Sequence, residues 1–225
     1  MTTENEDLDN SEEAEKEPLF GNNTLDQWVS FISSKEMPIF THTASLLSDM
    51  IQDNHSTTSD LSQIILKDPA LTSKVLRMAN SSYYNPRVKK LKTITRAIVV
   101  LGYNTIREIS LSSSLLEPLL HGHHQEAVSR HVRRSIHAAV IAKELVKSYP
   151  NGRPEETFIA ALLSELGHFA FWCFSKNIAD KLHEAQIENP KTAPQKLEAK
   201  VLGFKLDQLT QSLCKKWNLD GGLLG

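Results

Sequence analysis

From Leu25 onward apolar residues recur every three or four positions, and almost no segment alternates with a period of two. "TLDQWVSFISS" opens on Thr24 as an N-cap and sets Leu25, Trp28, Val29 and Ile32 on one face, and "FTHTASLLSDMIQD" repeats the pattern with Ala44, Leu47 and Ile51. "TSDLSQIILKD" runs into Pro69, which fits the first turn of a further helix, "PALTSKVLRMANSSYY". After the loop "NPRVKKLK", "TITRAIVVLG" reads as a short helix with Gly102 as its C-cap, followed by "YNTIREISLSSSLLEPLL". Pro118 and "HGHH" form a connection into the long helix "AVSRHVRRSIHAAVIAKELVKSY", which "PNGRPEE" ends. "TFIAALLSEL", "FAFWCFSKNIADKLHEAQIEN", "APQKLEAKVLG" and "KLDQLTQSLCKKW" complete the series. The pattern predicts an all-α, multi-helical domain of roughly ten helices packed on one another, with Leu76, Leu162 and Trp217 in its core.

Composition narrows this little. The 225 residues are 40% apolar and 23% charged, ordinary for a globular chain of one large domain or two small ones. No apolar run is long enough to span a bilayer, and the start of the chain is acidic where a secretory signal is basic and then apolar, so a cytoplasmic chain without a membrane role is expected. Cys173 and Cys214 stand too far apart for a Cys-x-x-Cys motif and are read as small apolar residues.

Charge is uneven. Residues 1–18 hold eight acids and one lysine, about −7, against about +5 for the rest, and such a segment is expected to be disordered. Between Pro69 and Arg107 lie eight basic residues, Lys74, Arg77, Arg87, Lys89, Lys90, Lys92, Arg96 and Arg107, and no acid. With Tyr83 and Tyr84 in the same loop, Arg87, Lys89 and Lys90 are candidate contacts for an anion or an acidic partner surface. The alternative is a solvated face paired with acids elsewhere, and the near-neutral total charge argues against a dedicated nucleic-acid binder.

"MPIF", "LSQIILKDPALTSKVLRMANSSYYN" and "TITRAIVVLGYNTIREISL" together resemble the HDOD domain, a bacterial signalling module related to the HD superfamily of metal-dependent phosphohydrolases. The resemblance covers residues 30–220 and is most specific at Asp68, Pro69, Ala70, Leu71, Leu76, Asn80 and Ser81. Helix physics accounts for these residues without a ligand: Asp68 caps, Pro69 presets φ, the apolar positions pack, and Asn80 and Ser81 end the helix. The resemblance implies an HDOD domain over 19–225, an N-terminal helical half over about 19–120 and an HD-like half over about 121–225. It also implies that the family continues past "LDGGLLG", so a truncated C-terminus is expected.

An active HD phosphohydrolase, as the resemblance implies, holds divalent metal with a first His, a His-Asp pair and later ligands. This chain aligns Arg134 with the first His, Ser164 and Glu165 with the pair, and Leu206 with a further His. A guanidinium cannot ligate a cation and a serine is a poor substitute for imidazole. The resulting expectation is a degenerate centre with no catalytic residue, metal or cofactor, in a regulatory module working through protein partners in bacterial signal transduction. The alternative is a metal-dependent phosphohydrolase, acting on a nucleotide or phosphoester, with altered ligands.

Two local motifs could still bind metal. Glu165 and His168 make a Glu-x-x-His whose nearest second copy is Asp180 with His183, and Gly167 weakens the helix between its ligands. "HGHH" gives His121, His123 and His124, with His131 seven residues beyond His124 on a shared face, but it is read first as a polar loop and helix start.

Overall fold

A computed structural model describes residues 24–52, 57–86, 90–116 and 119–219. The acidic tail, Arg87, Lys89, Pro118 and the final "GGLLG" lie outside the described residues. The fold is all-α, as the periodicity requires. In chain order the helices are α1 Leu25–Ser33, α2 Thr41–Gln52, α3 Thr58–Ile65, α4 Pro69–Ala79, α5 Ile94–Leu101, α6 Tyr103–Ser112, α7 Gly122–Val146, α8 Pro154–Leu162, α9 Leu166–Phe174, α10 Asn177–Glu188, α11 Pro194–Leu202 and α12 Leu206–Lys216. A 3₁₀ turn, Leu163–Glu165, links α8 to α9.

Local signals start and stop most of these helices. Thr24 caps α1 in a reciprocal capping box with Gln27, and Thr57 does the same for α3 with Asp60. Gly102 leaves α5 at φ +80°, a conformation that a Cβ would strain. Three breaks differ from the sequence reading. α6 stops at Ser112 and does not run on to Leu120, because Ser112 and Ser113 hydroxyls both donate back to the Ile109 carbonyl, and the chain then forms a single parallel bridge between Leu115 and Ile39. "FAFWCFSKNIADKLHEAQIEN" is two helices, divided where Ser175 turns extended and its Oγ accepts the Ala179 N–H. "HGHH" is no connection at its last two residues: α7 begins at Gly122, so His123 and His124 are helical.

One apolar core joins the first helices to the last. Trp28 of α1 is fully buried and its ring meets Phe171 of α9 at 5.4 Å. Leu76, Leu162 and Trp217 are all buried, as expected. α7 packs along α8 and α9, and α9 packs on α12, which returns to α1. The α9–α12 approach depends on Gly167: a Cβ there would lie 2.5 Å from the Thr210 backbone nitrogen. Gly167 N–H instead donates to Thr210 Oγ1 at 2.9 Å, so this glycine permits a close helix crossing and is not merely a weak point in its helix. By length and composition alone Pro154–Phe174 could cross a bilayer, although Glu155, Glu156, Ser164, Glu165 and His168 interrupt its apolar residues. It is broken by the 3₁₀ turn, and over half of it is buried against other helices.

Candidate functional site

The packing of α7, α9 and α11 around the 3₁₀ turn encloses a cavity of about 400 Å³. His131 of α7, Glu165 of the turn, His168 of α9 and Glu198 of α11 converge on it, with Arg134 and Leu206 at its wall. His131 Nδ1 donates to Glu165 Oε2 at 2.7 Å, and Arg134 Nη2 lies 3.1 Å from Glu165 Oε1. The His131 and His168 rings stack with centroids 4.6 Å apart. His168 Nε2 is 3.7 Å from Glu198 Oε1, while the second Glu198 oxygen accepts the Leu206 N–H at 2.9 Å.

Burial and charge act against each other here. Burial pushes the His131 pKa down, and the bonded Glu165 only partly offsets this. Burial alone would raise Glu165, but the His131 hydrogen bond and the nearby His168, His131 and Arg134 outweigh it and hold the carboxyl below its usual range. Glu198 follows the same balance: desolvation is overcome by the His168 imidazole and the Leu206 N–H.

The ligand atoms of His131, Glu165 and His168 lie within 4.8 Å of one another, close enough to hold a cation, and His168 Nδ1 is buried with no hydrogen-bond partner among the described residues, 3.5 Å from Glu165 Oε2. The remaining groups do not fit a hydrolytic metal centre. Arg134 places a fixed positive charge on the free oxygen of Glu165, where a metal would compete with it. Ser164 is exposed, and its Oγ donates to the Ala161 carbonyl, outside the cavity. Leu206 presents a buried apolar side chain.

Arg134 and Glu165, which the family resemblance aligns with metal-ligand positions, meet at this cavity, and His131, expected with "HGHH", joins them here. His131 is one turn before Arg134, and that i, i+3 relation was the available signal. Glu198 was missed entirely, and no local motif marks it. Asp180 and His183 do not form a second copy beside Glu165 and His168. They meet His123 and His124 instead, while His121 stands exposed before the first turn of α7.

A family model of the HDOD domain matches residues 37–224. The chain belongs to the HDOD family. A virulence factor from Campylobacter jejuni subsp. jejuni shares the HDOD fold at a TM-score of 0.72 and 21% identity, covering 90% of this chain and 72% of that one. The MmoQ response regulator from Methylococcus capsulatus str. Bath aligns at 0.67 and 23% identity, over 84% and 75%. No curated protein matches the chain.

In this HDOD chain the most specific motif residues are structural. Asp68 is fully buried: its Oδ1 accepts the Leu71 N–H at 3.0 Å and its Oδ2 accepts the Phe40 N–H at 2.8 Å, tying the start of α4 to the residue before α2. Burial pushes its pKa up to about 6 despite those bonds. Pro69 is the first residue of α4, and Ala70, Leu71 and Leu76 are fully buried. Asn80 pairs both ends of its amide with the Leu91 backbone, at 2.9 and 2.7 Å, closing the basic loop, and the Ser81 carbonyl accepts the Asn85 N–H. Within the HDOD basic stretch, Lys74 bonds Ser113 and faces Glu36, Lys92 faces Glu156, and Arg77 lies over the Trp217 ring at 5.0 Å. Lys90 is half-buried, and Tyr83 stands 85% exposed with its edge against Tyr84.

Proposed function

We propose that this HDOD chain is a non-catalytic regulatory module of bacterial signal transduction, acting in the cytoplasm by binding other proteins. The observation that carries the reading is the guanidinium of Arg134 on Glu165 Oε1, with His131 on the other oxygen: the carboxylate of the HD-like centre is saturated by groups of the chain itself. That one fold neighbour is named a response regulator agrees with a signalling role. The candidate partner contact is the groove of about 570 Å³ lined by Met37, Arg77, Tyr83, Tyr84 and Trp217, where an exposed aromatic stands beside a cation. Exposed Tyr and Arg side chains are the usual anchors of protein interfaces.

A second reading, a metal-dependent phosphohydrolase with altered ligands, is favoured by one observation, the convergence of His131, Glu165 and His168 with an unbonded His168 Nδ1. Hydrolysis of a generic phosphodiester by the purified chain with Mn²⁺ or Mg²⁺ separates the two. The regulatory reading expects no turnover above that of Glu165→Gln. Metal-dependent turnover that disappears in Glu165→Gln would establish the enzyme. For the binding role, affinity capture of partner proteins should drop in Tyr83→Ala and Arg77→Ala.

A further inference from the structure

At the start of α7, His123 and His124 both turn Nε2 towards a single atom, Asp180 Oδ1 on α10, at 2.8 and 3.0 Å. The three donor atoms all lie within 4.8 Å of one another. His183, one turn after Asp180 on α10, lies flat against His123, with centroids 4.2 Å apart and ring planes within 5° of parallel. The edge of Trp172 packs on the other side, 5.7 Å from His124.

His124 has a hydrogen-bonding conflict that identifies what the cluster lacks. Its Nδ1 is 3.2 Å from the Trp172 carbonyl oxygen, which only accepts, so Nδ1 carries a proton. A neutral ring then directs the Nε2 lone pair at Asp180 Oδ1, another acceptor, at 3.0 Å. A positive centre between them resolves the clash, either a second proton on His124 or a cation shared by all three groups. The geometry is that of a ligand set: two imidazole Nε2 atoms converge on one carboxylate oxygen, and the Trp172 carbonyl at His124 Nδ1 holds that ring with Nε2 facing the shared point.

We infer that His123, His124 and Asp180 form a binding site for a zinc-class divalent cation, oriented by the Trp172 carbonyl and the His183 ring. Two imidazoles and a carboxylate are a common donor set for zinc, and an imidazole that donates its other N–H to a backbone carbonyl is the usual arrangement around such a ligand. Bonds of about 2.0–2.1 Å in tetrahedral geometry set ligand atoms about 3.3–3.4 Å apart, so the two imidazole–carboxylate spacings of 2.8 and 3.0 Å must open by only about 0.3–0.6 Å. Asp180 is half exposed and can shift by that much. Water would complete the coordination. Bound there, the ion would staple the start of α7 to α10, next to the cavity but separate from His131 and Glu165.

The test uses the full chain, stripped with a chelator and titrated with Zn²⁺, and separately with Co²⁺ read by visible ligand-field absorption. One equivalent of Zn²⁺ should bind. Asp180→Asn and His124→Ala should each weaken binding by at least about tenfold and remove the Co²⁺ spectrum. Glu165→Gln should leave both unchanged, and His123→Gln provides a further surface variant should either of the first two fail to fold. Lack of stoichiometric zinc uptake would overturn the inference and make the cluster an imidazolium–carboxylate group. Uptake that persists in Asp180→Asn and is lost in Glu165→Gln would overturn it as well, by placing the metal in the buried cavity.

Discussion

Two histidine–carboxylate clusters share one helix, α7, and differ in what completes them. At its first turn His123 and His124 meet Asp180 near the surface, and two turns further on His131 meets Glu165 inside the fold. The donor types are the same. In the inner cluster the chain supplies the counter-charge itself: Arg134 takes the second oxygen of Glu165, and the arrangement is a finished ion pair. In the outer cluster two imidazole nitrogens crowd one oxygen of Asp180, and His124 faces acceptors on both sides. The presence of metal-type ligands therefore does not define a metal site. What decides is whether a cation of the chain already neutralises the carboxylate, and how far that carboxylate is withdrawn from solvent: Glu165 is mostly buried, Asp180 half exposed.

The largest expected effect tests the contrast in burial. Glu165→Ala removes the partner of buried His131 and of Arg134 and should cost about 2–4 kcal/mol, near the range for breaking a buried pair. Asp180→Ala, at a half-exposed position, should cost less than about 1 kcal/mol in the absence of metal. Urea unfolding of both variants measures this, and equal losses would remove the distinction between finished and unfinished clusters.

Next in size is the effect of deleting the internal cation. Mn²⁺ or Mg²⁺ should leave the wild-type melting temperature unchanged, since Glu165 is already paired. Arg134→Ala frees Glu165 Oε1, and Mn²⁺ should then stabilise the chain, by up to about 2.7 kcal/mol at a hundredfold excess over the dissociation constant. Equal responses in the two proteins would show that the guanidinium does not block the centre.

A further expected effect is in pH dependence. His131 is held below its ordinary 6.5, so the unfolded chain takes up a proton that the folded chain resists, and stability falls as pH drops below about 6.5. Glu165 and Glu198 are held below 4.5: their contributions are complete above that value and are lost as pH falls through the lowered folded pKa. Asp68 works in the opposite direction. With its pKa raised from 3.8 to about 6, it favours the folded state most at low pH, and that contribution disappears as pH rises from 3.8 to about 6. His131→Gln should therefore flatten the decline just below pH 6.5, while Asp68→Asn should steepen the loss on acidification between pH 6 and 4. Urea midpoints across this range check both slopes.

The all-α class, the cap at Thr24, the Asp68–Pro69 start of α4 and the burial of Leu76, Leu162 and Trp217 were all legible in the chain, because capping and helical periodicity act over three to seven residues and leave their mark locally. Arg134 and Glu165 could be singled out because a family pattern marks both positions. Local reading failed where polar side chains compete with the helix backbone, as at Ser112, Ser113 and Ser175, since a serine permits both continuation and termination and the neighbouring helices choose. The two clusters depended still more on tertiary structure. His131 and Glu165 are 34 residues apart, and His123 and Asp180 are 57 apart. The sequence sets which residues share a face of α7, but which face meets the 3₁₀ turn and which meets α10 follows from how the helices dock, including the close α9–α12 crossing that Gly167 allows. A side chain's partner, and with it the difference between a paired carboxylate and an open one, is fixed only when those helix rotations are fixed, because helix packing has several near-equivalent solutions that local periodicity does not distinguish.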